Sequence, residues 1–519
     1  MNGAGGNSTR LLYDDDDDFN DATPLCSVMF SLTVLVLVLI LFKVIYERWV
    51  TPLSNVPGRY LHSITSLPMR YHMLRGSLPA FLLDLHREHG PLVRISPQRV
   101  SVADVDMVKH VLGSHSYAKT PSYDMPSVLE PNAFSTRSAE LSTERRKQLA
   151  PGFSHRHLLD MEDRIVQCGV ANVKRKINGL LKGSPGGVVV QYYRWFSLIA
   201  LDTIGVLGFG RQFGALDNET HELIPTLVRI RVFNYATMAL PWLKKLPLLL
   251  GRRLTTLARL IDFGRDAIRQ RREEKKNTVD LLQLMMDSGL ADKQLPRMSE
   301  GQIVSETILH LIAGVDTTSA GLTWTLALLL HNPEVMRRVV AEVRGRFSGE
   351  NPITFEDCRQ GLPYLTAVIH ESLRVMSPAP GMLPRLAPVG GVRLGGYFLP
   401  AGTWVCCAIG AVHMNPSAFA EPEVFNPERF LGSSEEKYGM LAFSTGVRAC
   451  LGRNLALVEM HVVLANLLRN YDLSLPGGLL EGKGGGVPDI PRKTMMTMNP
   501  THPDRDCLVL ISPVDRTLV

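Results

Sequence analysis

The chain opens on a long apolar block. Residues 22 to 42 carry no charge, and Leu25 to Phe42 is dense in Leu, Val and Ile. A helix through such a block spans about 30 Å of hydrocarbon, so the pattern predicts a transmembrane anchor over residues 22–46. A cleaved signal peptide would need a basic segment before a shorter apolar run, whereas Asp14 to Asp18 and Asp21 make the preceding segment acidic. Lys43, Arg48 and Arg59 follow the block. By the positive-inside rule, residues 1–21 then form a lumenal tail and the rest lies in the cytosol. Asn7-Ser8-Thr9 becomes a lumenal glycosylation sequon, while Asn218-Glu219-Thr220 falls on the opposite side.

Pro52, Pro57-Gly58 and Pro68 interrupt the helical pattern and predict a stiff connector over residues 47–69. Helical periodicity dominates beyond it. Ser299-Glu300-Gly301-Gln302 fits a capping box, and the apolar repeat behind it runs to His331, where Asn332-Pro333 stops one helix and caps the next. That helix would be about 48 Å long. Further helices are expected from Tyr364 to Met376, ended by Ser377-Pro378, and from just after Cys450 towards Leu468. Leu92 to Val102 and Val392 to Ala408 are rich in β-formers. Length alone allows two or three domains. Neither an internal repeat nor a long linker interrupts residues 70–519, however, and only Gly477-Gly478 with Gly482 to Gly486 is low in complexity. The expectation is one mixed α/β, predominantly helical body behind a single membrane helix.

Composition narrows the classes. The 519 residues are 45% hydrophobic and 20% charged, which excludes disorder by composition. A net charge of +6 suits a mildly basic surface and marks no nucleic-acid partner. Seven cysteines without a C-x-x-C pair give neither a disulfide framework nor a zinc site and suit a reducing compartment.

Phe443-Ser444-Thr445-Gly446-Val447-Arg448-Ala449-Cys450-Leu451-Gly452 delivers a cysteine to a helix start. A helix N-terminus supplies positive potential and free N–H groups to a thiolate. Gly446 and Gly452 would allow a flat ligand to approach the backbone, Arg448 could bind an anionic group, and Phe443 could cover the sulfur. Read alone, the stretch equally describes an inert buried cysteine.

The stretch resembles the haem-binding signature F-x-x-G-x-R-x-C-x-G of the cytochrome P-450 family, and three further segments resemble that family in the same order. Ala313-Gly314-Val315-Asp316-Thr317-Thr318 is similar to its A-G-x-[DE]-T-[TS] element. Glu371-Ser372-Leu373-Arg374 is similar to its buried ion-pair helix, joined by Arg429 in Pro427-Glu428-Arg429-Phe430. Without the cysteine loop, the first would read as close helix packing with threonine back-bonding, and the second as a surface i, i+3 pair.

The resemblance covers roughly residues 50–519. It implies haem b with Cys450 as axial thiolate and metal ligand, contacts from Phe443 and Gly452, and Ala313 over the haem face. Gly314 would open the helix for dioxygen, while Asp316 and Thr317 would deliver protons. Arg146, Arg385 and Arg448 would hold the two propionates, and Glu371, Arg374 and Arg429 would form a structural charge cluster. One departure stands out: the family often has tryptophan four residues before that first arginine, and this chain has Ser142.

No G-x-G-x-x-G element opens a helix, so NADPH electrons are expected from a separate flavoprotein reductase, with a small haem protein as a further donor. The other partners implied are dioxygen, the membrane of the endoplasmic reticulum and a lipophilic small molecule. Its pocket walls would be Tyr123 to Phe134, Ile312 to Val315, Ala379 to Leu383 and Met495 to Met498. The segment Phe233 to Leu250, with Trp242, Leu243, Leu246 and Leu248 beside Lys244 and Lys245, reads as bilayer-dipping or core. The chain looks like fungal microsomal members of specialised metabolism. Xenobiotic or fatty-acid hydroxylation, peroxide isomerisation without a reductase, and a non-catalytic haem sensor stay open as alternatives.

Overall fold

A computed structural model describes residues 3, 22–124, 128–184, 186–274, 280–289, 295–432, 435–477 and 486–514. The acidic run and Asn7 sequon of the expected tail, and residues 478–485 of the glycine-rich patch, lie outside the described residues. The architecture is mostly helical with small sheets.

The apolar block forms the helix Ala22–Ile45, continued by a wider turn Tyr46–Val50. Its span Cys26–Val50 has an apolar stretch of mean hydropathy 2.8, none of which is buried in the protein. A core helix of that composition would be buried; this one suits a membrane anchor. Its end is fixed to the body, because Arg94 pairs with the Glu47 carboxylate at 2.8 Å and donates to the Glu47 carbonyl at 2.7 Å.

The proline segment is folded where a connector was expected. Pro52 opens a 3-10 turn, Pro52–Asn55, whose Leu53 is buried, and a short helix follows at Tyr60–Ile64. Pro68 sits in the first turn of the helix Leu67–Arg75. There its missing N–H would have had no helical acceptor, so proline starts the helix and does not break it.

The central helix, Glu300–His331, carries the expected capping box: Gln302 N–H meets Ser299 Oγ at 3.0 Å, and Ser299 N–H meets Gln302 Oε1 at 3.0 Å. Being apolar on nearly every side, it lies inside the body. It packs on the helices Tyr192–Phe209, Pro247–Glu274, Pro363–Val375 and Arg453–Asn470. Pro333 opens the next helix, Pro333–Arg346, but Asn332 does not cap it. Its amide instead donates to the Leu328 and Gly486 carbonyls at 2.7 and 3.0 Å.

The two β-rich stretches meet in one sheet of four strands, in the order Leu92–Ser96, Arg99–Val102, Trp404–Ala408, Met382–Leu386. Arg99–Val102 and Trp404–Ala408 run parallel, and the outer pairs antiparallel. Val392–Leu394 and Tyr397–Leu399 form a separate hairpin. One apolar core surrounds the central helix, and a second lies under the sheet.

Candidate functional site

Two residues in the left-handed region, Ser444 (φ 58°) and Gly446 (φ 71°), shape the cysteine loop. A side chain at Gly446 would collide with the Leu112 carbonyl, so this glycine serves loop packing, not approach of a ligand as expected. The Cys450 N–H donates to the Phe443 carbonyl at 2.9 Å, closing the loop just before the helix Arg453–Asn470. Burial pushes the Cys450 thiol up; the backbone N–H of Gly452, the guanidinium groups of Arg146 and Arg453, and the Arg453 N–H pull it back. Cys450 is nonetheless exposed. A side chain surrounded by protein yet reached by solvent lies at the floor of a recess. The Phe443 ring is half-buried, 5.9 Å from the Arg453 guanidinium.

The central helix is open along one face. Ala313 is exposed and Leu309, Ile312 and Thr317 are partly so, whereas Leu311, Val315, Asp316 and Thr318 are buried. The Thr317 hydroxyl donates to the Ala313 carbonyl at 2.7 Å, which commits its proton and leaves its oxygen free to accept. Gly314 does not open the helix. The helix is continuous there, and a Cβ at that position would sit 3.3 Å from Ile204 Cδ1, so the glycine permits close packing with Tyr192–Phe209. Asp316 pairs with Arg231 at 2.9 Å, and Arg231 also donates to Thr497 Oγ1 at 3.1 Å. Burial raises the Asp316 pKa, opposed by Arg231. Sequence reading missed Arg231.

Cations gather near the loop. Arg146 donates to the Ala449 carbonyl at 2.7 Å, Arg448 to those of Thr136 and Ser138 at 3.0 and 2.8 Å, and Arg385 to the Tyr123 hydroxyl at 3.0 Å. Lys119, also unforeseen, forms a β-bridge with Arg385 and gives its ammonium to the Phe134 carbonyl. Burial first, then Arg385, Arg448 and Arg146, push Lys119 down to about 6; burial, then Arg385 and Arg146, push Arg448 down to about 10. Among the described residues, no carboxylate pairs with any of the four. Lys119 and Arg385 are buried and Arg146 and Arg448 half-buried, and like charges crowded there without counter-charge are costly, so the cluster fits an anionic ligand.

The third expected cluster is assembled away from solvent. Glu371 and Arg374 exchange two bonds of 2.7 Å, and Arg429 Nε reaches Glu371 at 3.2 Å. Arg374 further donates to the carbonyls of His413 and Pro422, both at 2.7 Å. These contacts lock the loop after His413 to the helix Pro363–Val375.

Of the expected pocket walls, residues 125–127 lie outside the described residues, while Tyr123 and Phe134 hold their rings 5.4 Å apart. Met496 (φ 68°) turns the hairpin between Arg492–Met495 and Thr497–Pro500, and Trp324 Nε1 anchors it to the Met498 carbonyl at 2.9 Å. Among the described residues no group of three or more His, Cys, Asp and Glu could hold a metal ion.

Comparison with known proteins points the same way. The family profile described as cytochrome P-450 matches residues 60–502. The cytochrome P-450 monooxygenase helB1 of Aspergillus fumigatus is 31% identical over 500 residues, covering 94% of this chain and 86% of that protein. Its namesake helB2 from the same fungus is 31% identical over 506 residues, with 92% and 98% covered. The cytochrome P-450 monooxygenase ABA2 of Pyricularia oryzae is 31% identical over 474 residues, with 85% and 88% covered.

Proposed function

The chain belongs to the cytochrome P-450 family and is a haem-thiolate monooxygenase; on that premise we propose that Cys450 is the axial ligand of its haem b and that its substrate is a lipophilic molecule of fungal specialised metabolism. The observation carrying the site assignment is a solvent-open cysteine at a helix start, beside buried and half-buried cations that lack a carboxylate partner among the described residues. The donor set fits the group: one thiolate for iron, and Arg146, Arg385 and Arg448 for two carboxylates.

Haem bound there supplies dioxygen binding and reductive activation, with NADPH electrons delivered by a flavoprotein reductase or through a small haem protein. The protein's own groups do the rest. Gly452 and Arg453 direct N–H groups at the sulfur and moderate its donor strength, and Phe443 screens the loop from water. Ala313 leaves room on the open face of the central helix, and the Thr317 hydroxyl, whose proton goes to the Ala313 carbonyl, keeps its oxygen free to accept a hydrogen bond there. Asp316, held by Arg231, passes protons inward when that pair loosens. Glu371, Arg374 and Arg429 keep the core rigid.

The same proposal divides the chain into a lumenal tail, 1–21, an anchor, 22–46, a connecting segment, 47–69, and the monooxygenase body, 70–519, with the body on the cytosolic side of the endoplasmic reticulum. Exposed Trp242 and Leu246 support a second membrane contact; the side chains of Lys244 and Leu248 lie outside the described residues. The test is spectroscopic. Reduced protein with carbon monoxide should show the red-shifted Soret band of thiolate-bound haem, absent in Cys450→Ser, and a substrate should stimulate NADPH consumption with added reductase. An unchanged band in the variant would overturn the ligand assignment.

A further inference from the structure

Residues 129–134, part of the expected pocket wall, belong to no helix or strand. Leu129 and Pro131 are open to solvent, while Phe134 at the other end lies against Tyr123 and Lys119, in the cation cluster beside the recess. A segment so placed stands between the recess and solvent. Among the described residues no backbone–backbone bond ties it to another element, so side chains decide where it sits. The central helix supplies them near its start. Ser305 Oγ accepts from the Leu129 and Glu130 N–H groups at 3.3 and 3.0 Å, and Ser299 Oγ donates to the Glu130 carboxylate at 2.6 Å. Glu306 Oε1 accepts from the Ala133 N–H at 2.8 Å.

Glu306 is the least expected of these. Its side chain is sealed from solvent, as is that of Arg145, which approaches the same Oε1 to 3.4 Å. No hydrogen bond is directed between them: Glu306 Oε2 and Arg145 Nε and Nη2 have no partner among the described residues. Arg145 is held instead by Gln148 Oε1 at 2.8 Å. A buried pair of such loose geometry adds little or no net stability, and apolar residues of similar volume would serve a core as well. Burial also pushes the Glu306 carboxyl up to about 7, against the pull of Arg145 and of the Ala133 N–H. Its charge is therefore poorly supported. What the site does preserve is the oxygen facing Ala133, an acceptor whether the carboxyl is ionised or protonated.

We propose that Glu306 is a positioning residue, which with Ser305 seats residues 129–134 against the central helix and thereby sets the size of molecule that passes into the recess. The inference goes beyond the haem-thiolate reading but rests on it, because the recess is the haem site of that reading. Losing the Ala133 contact frees the Phe134 end of the segment, and losing the Ser305 contacts frees the Leu129 end. Neither residue touches a reacting atom.

Entry of haem-ligating imidazoles reads this out without turnover. Imidazole is the small probe, and 1-tritylimidazole is the same ligand enlarged by three phenyl rings. Each shifts the Soret band on reaching the iron, so rapid mixing with the full-length, haem-loaded protein gives an association rate. Removing Glu306 alone would strand Arg145, so two double variants are compared. Glu306→Leu with Arg145→Leu lacks the acceptor, and Glu306→Gln with Arg145→Leu keeps it. The first should admit 1-tritylimidazole at least about tenfold faster than the parent, as loss of one strong hydrogen bond holding the segment predicts. Imidazole should enter it at the parental rate. The second should match the parent with both probes. Ser305→Ala, which leaves the buried pair intact, should also speed the bulky probe, by less. Equal 1-tritylimidazole rates in the parent and the first variant would overturn the inference. So would a proportional rise for imidazole, which marks general loosening, or a second variant as open as the first. Absence of the thiolate-haem band in the parent would instead defeat the haem assignment and this inference with it.

Discussion

The Asp316 carboxylate meets the Arg231 guanidinium at 2.9 Å, joining the central helix to the helix Leu223–Ala239. Both side chains are about nine-tenths buried. Burial disfavours the charged carboxylate more than Arg231 favours it, so the pair positions two helices and adds little net stability. Arg231→Met should strand the carboxylate and lower the unfolding free energy by about 3 kcal/mol. Adding Asp316→Asn should recover part of that loss. Denaturant midpoints of the two single variants and the double variant give the coupling, and strictly additive changes would mean the pair does not couple.

Thr317 and Thr318 are adjacent but face different surroundings. Thr317 bonds the Ala313 carbonyl on the open face, while Thr318 is buried in packing. Thr317→Ala should keep haem and substrate binding and go on consuming NADPH, with a larger share of electrons ending in hydrogen peroxide and a smaller share in product. Thr317→Ser should restore much of the coupling, and Thr318→Ala should disturb it less. The measurement is the ratio of product to NADPH. Unaltered coupling in Thr317→Ala would remove the hydroxyl from the mechanism.

Glu459 is buried in the helix Arg453–Asn470, one of its oxygens has no partner, and no cation pairs with it among the described residues. Burial pushes its pKa from 4.5 up to about 8. Between those values the folded chain holds a proton that the unfolded chain has released, so stability falls as pH rises. The slope approaches 1.4 kcal/mol per pH unit across that window, and the loss is complete above the folded pKa. Glu459→Gln should remove this component, leaving a melting temperature that declines less than the parent's between pH 6 and about 9. Parallel melting curves for the two proteins would show that this carboxyl does not titrate as described.

Membrane attachment should have two parts. Beyond the anchor, Tyr60, Leu61, Leu67 and Tyr71 are exposed, as are Trp242, Leu246 and Leu254, on elements joined by packing of Leu67–Arg75 against Leu223–Ala239. Removing residues 1 to 48 should shift most of the protein to the soluble fraction while leaving a salt-resistant remnant on vesicles. Trp242→Ser with Leu246→Ser in that shortened chain should release the remnant. Flotation assays distinguish these outcomes, and complete release on truncation alone would exclude the second contact.

What the sequence made legible was what lies close together along the chain. The capping box at Ser299, the stop at Pro333 and the cysteine loop are contiguous signals, and each stands where its residues indicated. Arg231 and Lys119 were not legible, because each acquires its place from a partner far along the chain, Asp316 and Arg385. Glycines misled for a related reason. Gly314 and Gly446 answer to Ile204 and Leu112, neighbours that no motif names, and a glycine beside chemistry is easily credited to that chemistry. Proline at 68 misled by context, since the same ring that breaks a helix interior is well placed in a first turn.

The grip of Arg94 on Glu47 sets the posture of the whole molecule. Where Ala22–Ile45 crosses a bilayer, its tie to the first strand of the sheet shortens the leash between lipid and body and narrows the heights and tilts open to the body. Any donor or substrate travelling in the same bilayer meets it through sliding in a plane and rotation about a single axis, the membrane normal. The hardest part of a collision, finding the right face from every direction, would then be narrowed before two molecules touch.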